Sequence, residues 1–75
     1  MKHTINIRFL SISDVKEFAD LVSTFNYDID LVSGRYVVDA KSIMGIFSLD
    51  LSKPISLVAY TDDIEPLLKA VKKFC

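Results

Sequence analysis

The sequence is poor in the residues that build catalytic and metal centres. Its 75 residues include one histidine, one cysteine, two glycines and no tryptophan. The histidine, His3, has no metal-binding side chain at ligand spacing, and the glycines Gly34 and Gly45 are too far apart to form a phosphate-binding loop. Cys75 has no second cysteine with which to form a disulfide, which favours a reducing compartment. We therefore expect no metal, no cofactor and no enzymatic activity.

Charge and hydropathy exclude two further classes of function. Nine basic residues face ten acidic ones, so the net charge of −1 does not suit nucleic-acid binding. No apolar run approaches the ~20 residues that span a bilayer, and the first nine residues lack the pattern of a secretory signal. About half of the residues are hydrophobic, which is ample for the core of one domain over residues 1–75. The sequence thus predicts a single cytoplasmic domain that binds neither membrane nor nucleic acid.

Hydrophobic periodicity predicts the order β-α-β-β-α-β-α. The predicted strands cover residues 2–9, 27–32, 36–40 and 55–60, and the predicted helices cover 13–24, 43–49 and a last segment capped by Asp63. Pro66 then falls at the third helical position, where proline is tolerated. Each long helix has one apolar stripe, as packing on one sheet face requires. We predict an α+β, two-layer open-faced sandwich, with a four-stranded, mostly antiparallel sheet and three helices on one face.

The most informative stretch of the chain is residues 41–49. It reads Lys41-Ser42-Ile43-Met44-Gly45. Two further residues separate this run from Ser48-Leu49. A serine before an apolar helical run is typical of an N-cap, which contributes about 1 kcal/mol. Met44 and Phe47 lie three residues apart, either at the edge of the core or in an exposed apolar patch. Lys41 is predicted to be a solvated flank, with pairing to a phosphate on Ser42 as the alternative.

This motif resembles the regulatory serine region of HPr, the small phosphocarrier of the bacterial phosphoenolpyruvate:sugar phosphotransferase system. Chain length and element order are similar over nearly the whole chain, and the best match is to versions from Gram-positive bacteria. The resemblance implies phosphorylation of Ser42 by an HPr kinase/phosphorylase with ATP. It also implies a partner-binding patch formed by Lys41, Ile43, Met44 and Phe47. The partners implied are the kinase, a catabolite-control transcription factor or a phosphotransferase-system enzyme.

The sequence departs from the family at the phosphocarrier site. HPr carries its phosphoryl group on a histidine in a Gly-(Leu/Ile)-His-Ala-Arg-Pro-Ala loop before the first helix. Alignment on that loop places Ser11 at the histidine, Ser13 at the arginine and Asp14 at the proline. A serine phosphoester transfers its phosphoryl group far less readily than a phosphohistidine, and the missing arginine removes a phosphate contact. Ser11 is therefore predicted to mark a degenerate phosphocarrier position, where it serves as a helix cap.

Three hypotheses for function follow. The first is a regulatory, HPr-like interaction protein that is modulated at Ser42 and is not a competent histidine phosphocarrier. The second is a phosphotransferase-system carrier that uses an acceptor other than histidine. The third is a constitutive interaction module on a degenerate HPr scaffold, in which changes at Ser42 leave partner binding unchanged.

Overall fold

The secondary structure follows the predicted order in the computed structural model, which describes residues 1–75. The elements are β1 (Lys2–Ile7), α1 (Ile12–Val22), β2 (Ile29–Ser33), β3 (Tyr36–Asp39), α2 (Ile43–Phe47), β4 (Ile55–Tyr60) and α3 (Glu65–Val71). A short 3₁₀ turn, Lys72–Phe74, extends α3. None of these helices is long and apolar enough to cross a membrane. The predicted α+β open-faced sandwich is confirmed.

The sheet has the strand order β1-β4-β2-β3, and all neighbouring strands are antiparallel. One row of aligned residues crosses all four strands, namely Ile5, Leu57, Leu31 and Val38. Leu31 and Leu57 are fully buried, while Ile5 and Val38 pack against the edge of the same core. Because side chains alternate between the two faces of a sheet, this row places one apolar face toward the three helices.

Three phenylalanines tie the ends of the chain together. The ring centroid of Phe18 on α1 lies 5.1 Å from that of Phe9 and 5.5 Å from that of Phe74, both in edge-on geometry. The backbone N–H of Arg8 donates to the carbonyl of Phe74 at 2.7 Å. Phe18 has no exposed surface, so this aromatic cluster closes one end of the core. The C-terminal 3₁₀ turn is thereby fixed to the end of β1.

The structure corrects several predicted element boundaries. The helix α1 begins at Ile12 and ends at Val22, and β2 begins at Ile29 where residue 27 was predicted. A further correction concerns α3, which begins at Glu65 after the cap residue Ile64.

The prediction that Asp63 is the N-cap of α3 is therefore wrong. The Asp63 carboxylate accepts the N–H of Glu65 at 3.2 Å, which forms a local turn in front of the helix. The first helical bond runs from Leu68 N to the Ile64 carbonyl, and Pro66 occupies the second helical position. Asp63 still accepts one free N–H group at this helix end, although it stands one residue before the N-cap position.

Substitution of Phe18 by alanine is expected to lower the free energy of unfolding by about 3–5 kcal/mol, because it leaves a cavity between two rings. Urea unfolding followed by circular dichroism measures this loss. Leu10→Ala is the matched control, since Leu10 is 84% exposed and its truncation should change stability by less than about 0.5 kcal/mol. Equal losses in the two variants would contradict the assigned core.

Candidate functional site

Ser42 stands at the start of α2 with its hydroxyl exposed to solvent. Its backbone is extended (φ −104°, ψ 108°), and its Oγ accepts the N–H of Gly45 at 3.2 Å. The Ser42 carbonyl accepts the N–H of Ile46 at 3.0 Å, and the Ser42 N–H donates to the Asp39 carbonyl at 3.0 Å. These bonds are those of an N-cap residue. The hydroxyl is thus held by the helix N-terminus while the side chain remains exposed to solvent.

Gly45 allows α2 to approach β3 closely. A Cβ at this position would lie 3.3 Å from the Cβ of Val38 and 3.4 Å from the Oγ of Ser42. An added Cβ would therefore press on Val38 of the strand and would reach ordinary van der Waals contact with the Ser42 hydroxyl. Sequence reasoning identified Gly45 only as part of a motif, because the contact with Val38 joins residues seven positions apart through the fold.

The apolar residues of α2 divide between the core and the surface. Ile46 and Leu49 are buried, whereas Met44 is 81% exposed and Phe47 is 40% exposed. Ile43 is half-buried and packs against the edge of the core. Of the two alternatives drawn from the sequence, the structure places Met44 and Phe47 at the surface. Together with Ser42 they form an apolar surface on α2 with a hydroxyl at its end.

Lys41 has a structural contact that the sequence did not indicate. Its Nζ donates to the carbonyl of Phe25 at 2.6 Å, and its backbone N–H donates to Asp39 Oδ1 at 2.9 Å. The side chain is half-buried, so the expectation of a solvated flank is wrong. The ammonium group satisfies a carbonyl that follows the end of α1 and connects that segment to the residues before α2.

Ser11 is the N-cap of α1, as the sequence predicted for a capping serine. Its Oγ accepts the N–H of Asp14 at 3.2 Å and lies 2.9 Å from the Oγ of Ser13. The Asp14 carboxylate accepts the N–H of Leu10 at 3.0 Å. This reciprocal arrangement is close to a capping box. One free N–H group of this helix end, that of Asp14, and the N–H of Leu10 before it are therefore met by side chains of the same turn.

Two further apolar side chains are exposed beside this cap. Leu10 and Ile12 are 84% and 75% exposed, and α1 packs against α2. Sequence reasoning did not single them out. Leu10 precedes the helix and Ile12 is its first residue, so neither reaches the core that Val15, Phe18 and Ala19 enter, and helical periodicity alone would not have marked Ile12 as exposed.

Comparison with known proteins identifies the family. A family model described as the PTS HPr component phosphorylation site matches residues 12–75. The chain belongs to the HPr family. HPr proteins are phosphocarriers that act with enzymes of the phosphotransferase system rather than as catalysts.

Solved HPr structures have the same fold. HPr-C-His from Thermoanaerobacter tengcongensis is 33% identical, with a TM-score of 0.76 over 97% of this chain and 88% of that one. Phosphocarrier protein HPr from Bacillus anthracis str. Ames is 23% identical, with a TM-score of 0.75 over 100% of this chain and 96% of that one. At that identity, the second likeness bears on the fold alone. No curated protein matches the chain significantly.

Loss of the Ser42 hydroxyl is expected to destabilise the protein even without any modification. Ser42→Ala should lower the free energy of unfolding by about 1 kcal/mol, because the N–H of Gly45 loses its acceptor. Ser42→Asp retains a capping oxygen and should recover most of this loss. Urea unfolding measures both changes, with Ser56→Ala as the control, since the Ser56 hydroxyl has only a long 3.5 Å contact with Asn6. No loss in Ser42→Ala would show that the cap contributes nothing.

Proposed function

We propose that this HPr-family chain is a regulatory interaction protein whose partner binding changes when Ser42 is phosphorylated. The proposal includes an HPr kinase/phosphorylase-like enzyme that uses ATP as phosphoryl donor. A catabolite-control transcription factor or a phosphotransferase-system enzyme then binds the modified surface. The observation that carries it is the exposed Ser42 hydroxyl next to the exposed side chains of Met44 and Phe47. We place this function in the cytoplasm and in one domain over residues 1–75.

The geometry at Ser42 suits phosphoryl transfer to its Oγ. This oxygen attacks the γ-phosphorus of ATP, its proton passes to a base of the kinase, and ADP leaves. After transfer, a phosphate oxygen takes over the N–H of Gly45 that now donates to the hydroxyl. The new charge of about −1.5 to −2 lies at the edge of an apolar surface. Partners that dock on Met44 and Phe47 therefore meet a different electrostatic environment before and after modification.

Two observations support the proposal that the chain is not a histidine phosphocarrier. Its only histidine, His3, lies in β1 and not in the loop before α1. Ser11, at the aligned position, uses its oxygen as a helix cap, and the Asp14 carboxylate lies within the same turn. Negative charge there repels an incoming phosphoryl group, and the position aligned with the family's arginine carries Ser13, which offers no charge to offset it.

Phosphorylation of Ser42 is tested with an HPr kinase and ATP, followed by intact-mass and peptide-mapping analysis. We expect the addition of one phosphate, located on Ser42 and absent from Ser42→Ala. Ser48→Ala is the matched control, because Ser48 is an exposed serine at the other end of α2. No modification of the wild-type protein, or full modification of Ser42→Ala, would contradict the proposal.

A binding comparison separates the switch from the constitutive module. If Ser42 is a switch, the phosphorylated protein and Ser42→Ala differ in affinity for a purified catabolite-control transcription factor. Equal binding by wild type, phosphorylated wild type, Ser42→Ala and Ser42→Asp would instead favour the constitutive module.

Incubation with phosphoenolpyruvate and enzyme I is expected to yield no phosphorylated protein. The reason is that no imidazole stands before α1 to accept the phosphoryl group. A histidine-bearing HPr treated in parallel shows that the reaction mixture is active. A phosphoprotein detected on Phos-tag gels or by intact mass would overturn this expectation and identify a carrier with another acceptor.

A further inference from the structure

We propose that a cleft at the end of α2 opposite to Ser42 binds a small organic phosphate, namely a phosphate monoester whose carbon skeleton carries hydroxyl groups. The cleft has a volume of about 550 Å³. One wall is the turn between β2 and β3, residues 33–36, and the other is formed by Ser48, Asp50 and Lys53 after α2. Its volume lies within the range typical of small-molecule sites. The proposal does not depend on modification of Ser42.

Two cations, Arg35 and Lys53, line this cleft. Arg35 takes part in none of the three ion pairs of the molecule. Lys53 forms an exposed ion pair with Asp50, with 3.9 Å between Lys53 Nζ and Asp50 Oδ2. Two cations and one carboxylate leave the cleft with a net positive charge in a protein that is slightly negative overall. This excess positive charge attracts a phosphate, and the planar guanidinium of Arg35 matches two phosphate oxygens.

Asp50 contributes a fixed carboxylate to the same cleft. Its Oδ1 accepts the backbone N–H of Ser52 at 3.1 Å and the Ser52 hydroxyl at 2.6 Å. These hydrogen bonds lower the pKa of Asp50, so it is ionised at neutral pH. A fixed carboxylate accepts hydroxyl donors and repels a bare anion. The ligand must therefore offer hydroxyl groups on the Asp50 side as well as a phosphate for the cations.

The remaining lining also suits a hydroxylated carbon skeleton. The Ser48 hydroxyl donates to the carbonyl of Gly45 at 2.6 Å, which leaves its lone pairs free to accept from a ligand. Tyr36 is 65% exposed and offers an aromatic face for the C–H groups of a sugar or polyol. Gly34 (φ +61°) has open space where a Cβ would lie, so the turn does not obstruct the cleft. Because these groups are solvated, we expect a dissociation constant of roughly 1 mM.

The test is a titration of the ¹⁵N-labelled protein with glucose 6-phosphate at constant ionic strength, followed by amide chemical shifts. We expect saturable shifts at Gly34, Arg35 and Ser48. Arg35→Gln and Lys53→Gln should each weaken binding by about tenfold. Lys69→Gln is the matched control, because Lys69 is an exposed lysine on α3, outside the cleft. An unchanged spectrum elsewhere in the molecule shows that each variant is folded.

Three outcomes would overturn the proposal. The first is shifts that do not saturate. The second is equal affinity of the ligand for wild type, Arg35→Gln and Lys53→Gln. The third concerns the two halves of the ligand. Glucose and inorganic phosphate, each titrated alone, test the two halves of the ligand and should bind at least about tenfold more weakly than glucose 6-phosphate. If inorganic phosphate binds as tightly as the sugar phosphate, the assignment to a hydroxylated ester is wrong.

Discussion

Burial of Ile46 and Leu49 against the sheet is the constraint on which the site depends. The helix α2 has only five residues, far below the ~12–15 at which isolated helices become even marginally stable in water. It exists because these two side chains complete the common core. Their burial fixes the helix orientation, which in turn directs Met44 and Phe47 to the surface. The position of the Ser42 hydroxyl is therefore a consequence of core packing several residues away.

The structural role of Ser42 is compatible with the regulatory role that we propose for it. An N-cap requires a small polar side chain in front of free N–H groups, and a phosphorylation site requires an exposed hydroxyl. The first turn of a helix at the surface meets both requirements. A phosphate there replaces one acceptor by a stronger one, so modification need not disrupt the fold. Gly45 lets α2 lie close to Val38, and the Ser42 side chain remains exposed to solvent.

The loop before α1 keeps the capped helix of the family scaffold although it contains no histidine. The HPr fold requires a capped α1 packed on the sheet, and Ser11 with Asp14 provides that cap. Neither residue supplies an imidazole or a cation. Fold and function are separable here because packing is set by the buried stripe of α1, whereas phosphoryl transfer depends on side chains at its exposed end. Family membership therefore establishes the scaffold, while the reaction depends on the side chains of this loop.

The sequence by itself determined the element order, the apolar face of each helix and the tight turn at Gly34, since these depend on periodicity and local backbone chemistry. It also pointed to Ser42, because a capping serine acts on neighbours within one helical turn. Only the tertiary structure decided the rest. The contact of Lys41 with the Phe25 carbonyl, and the cleft that Arg35 and Lys53 both line, bring together segments that are distant along the chain. Such contacts depend on how the strands and helices pack in three dimensions, which no local pattern encodes.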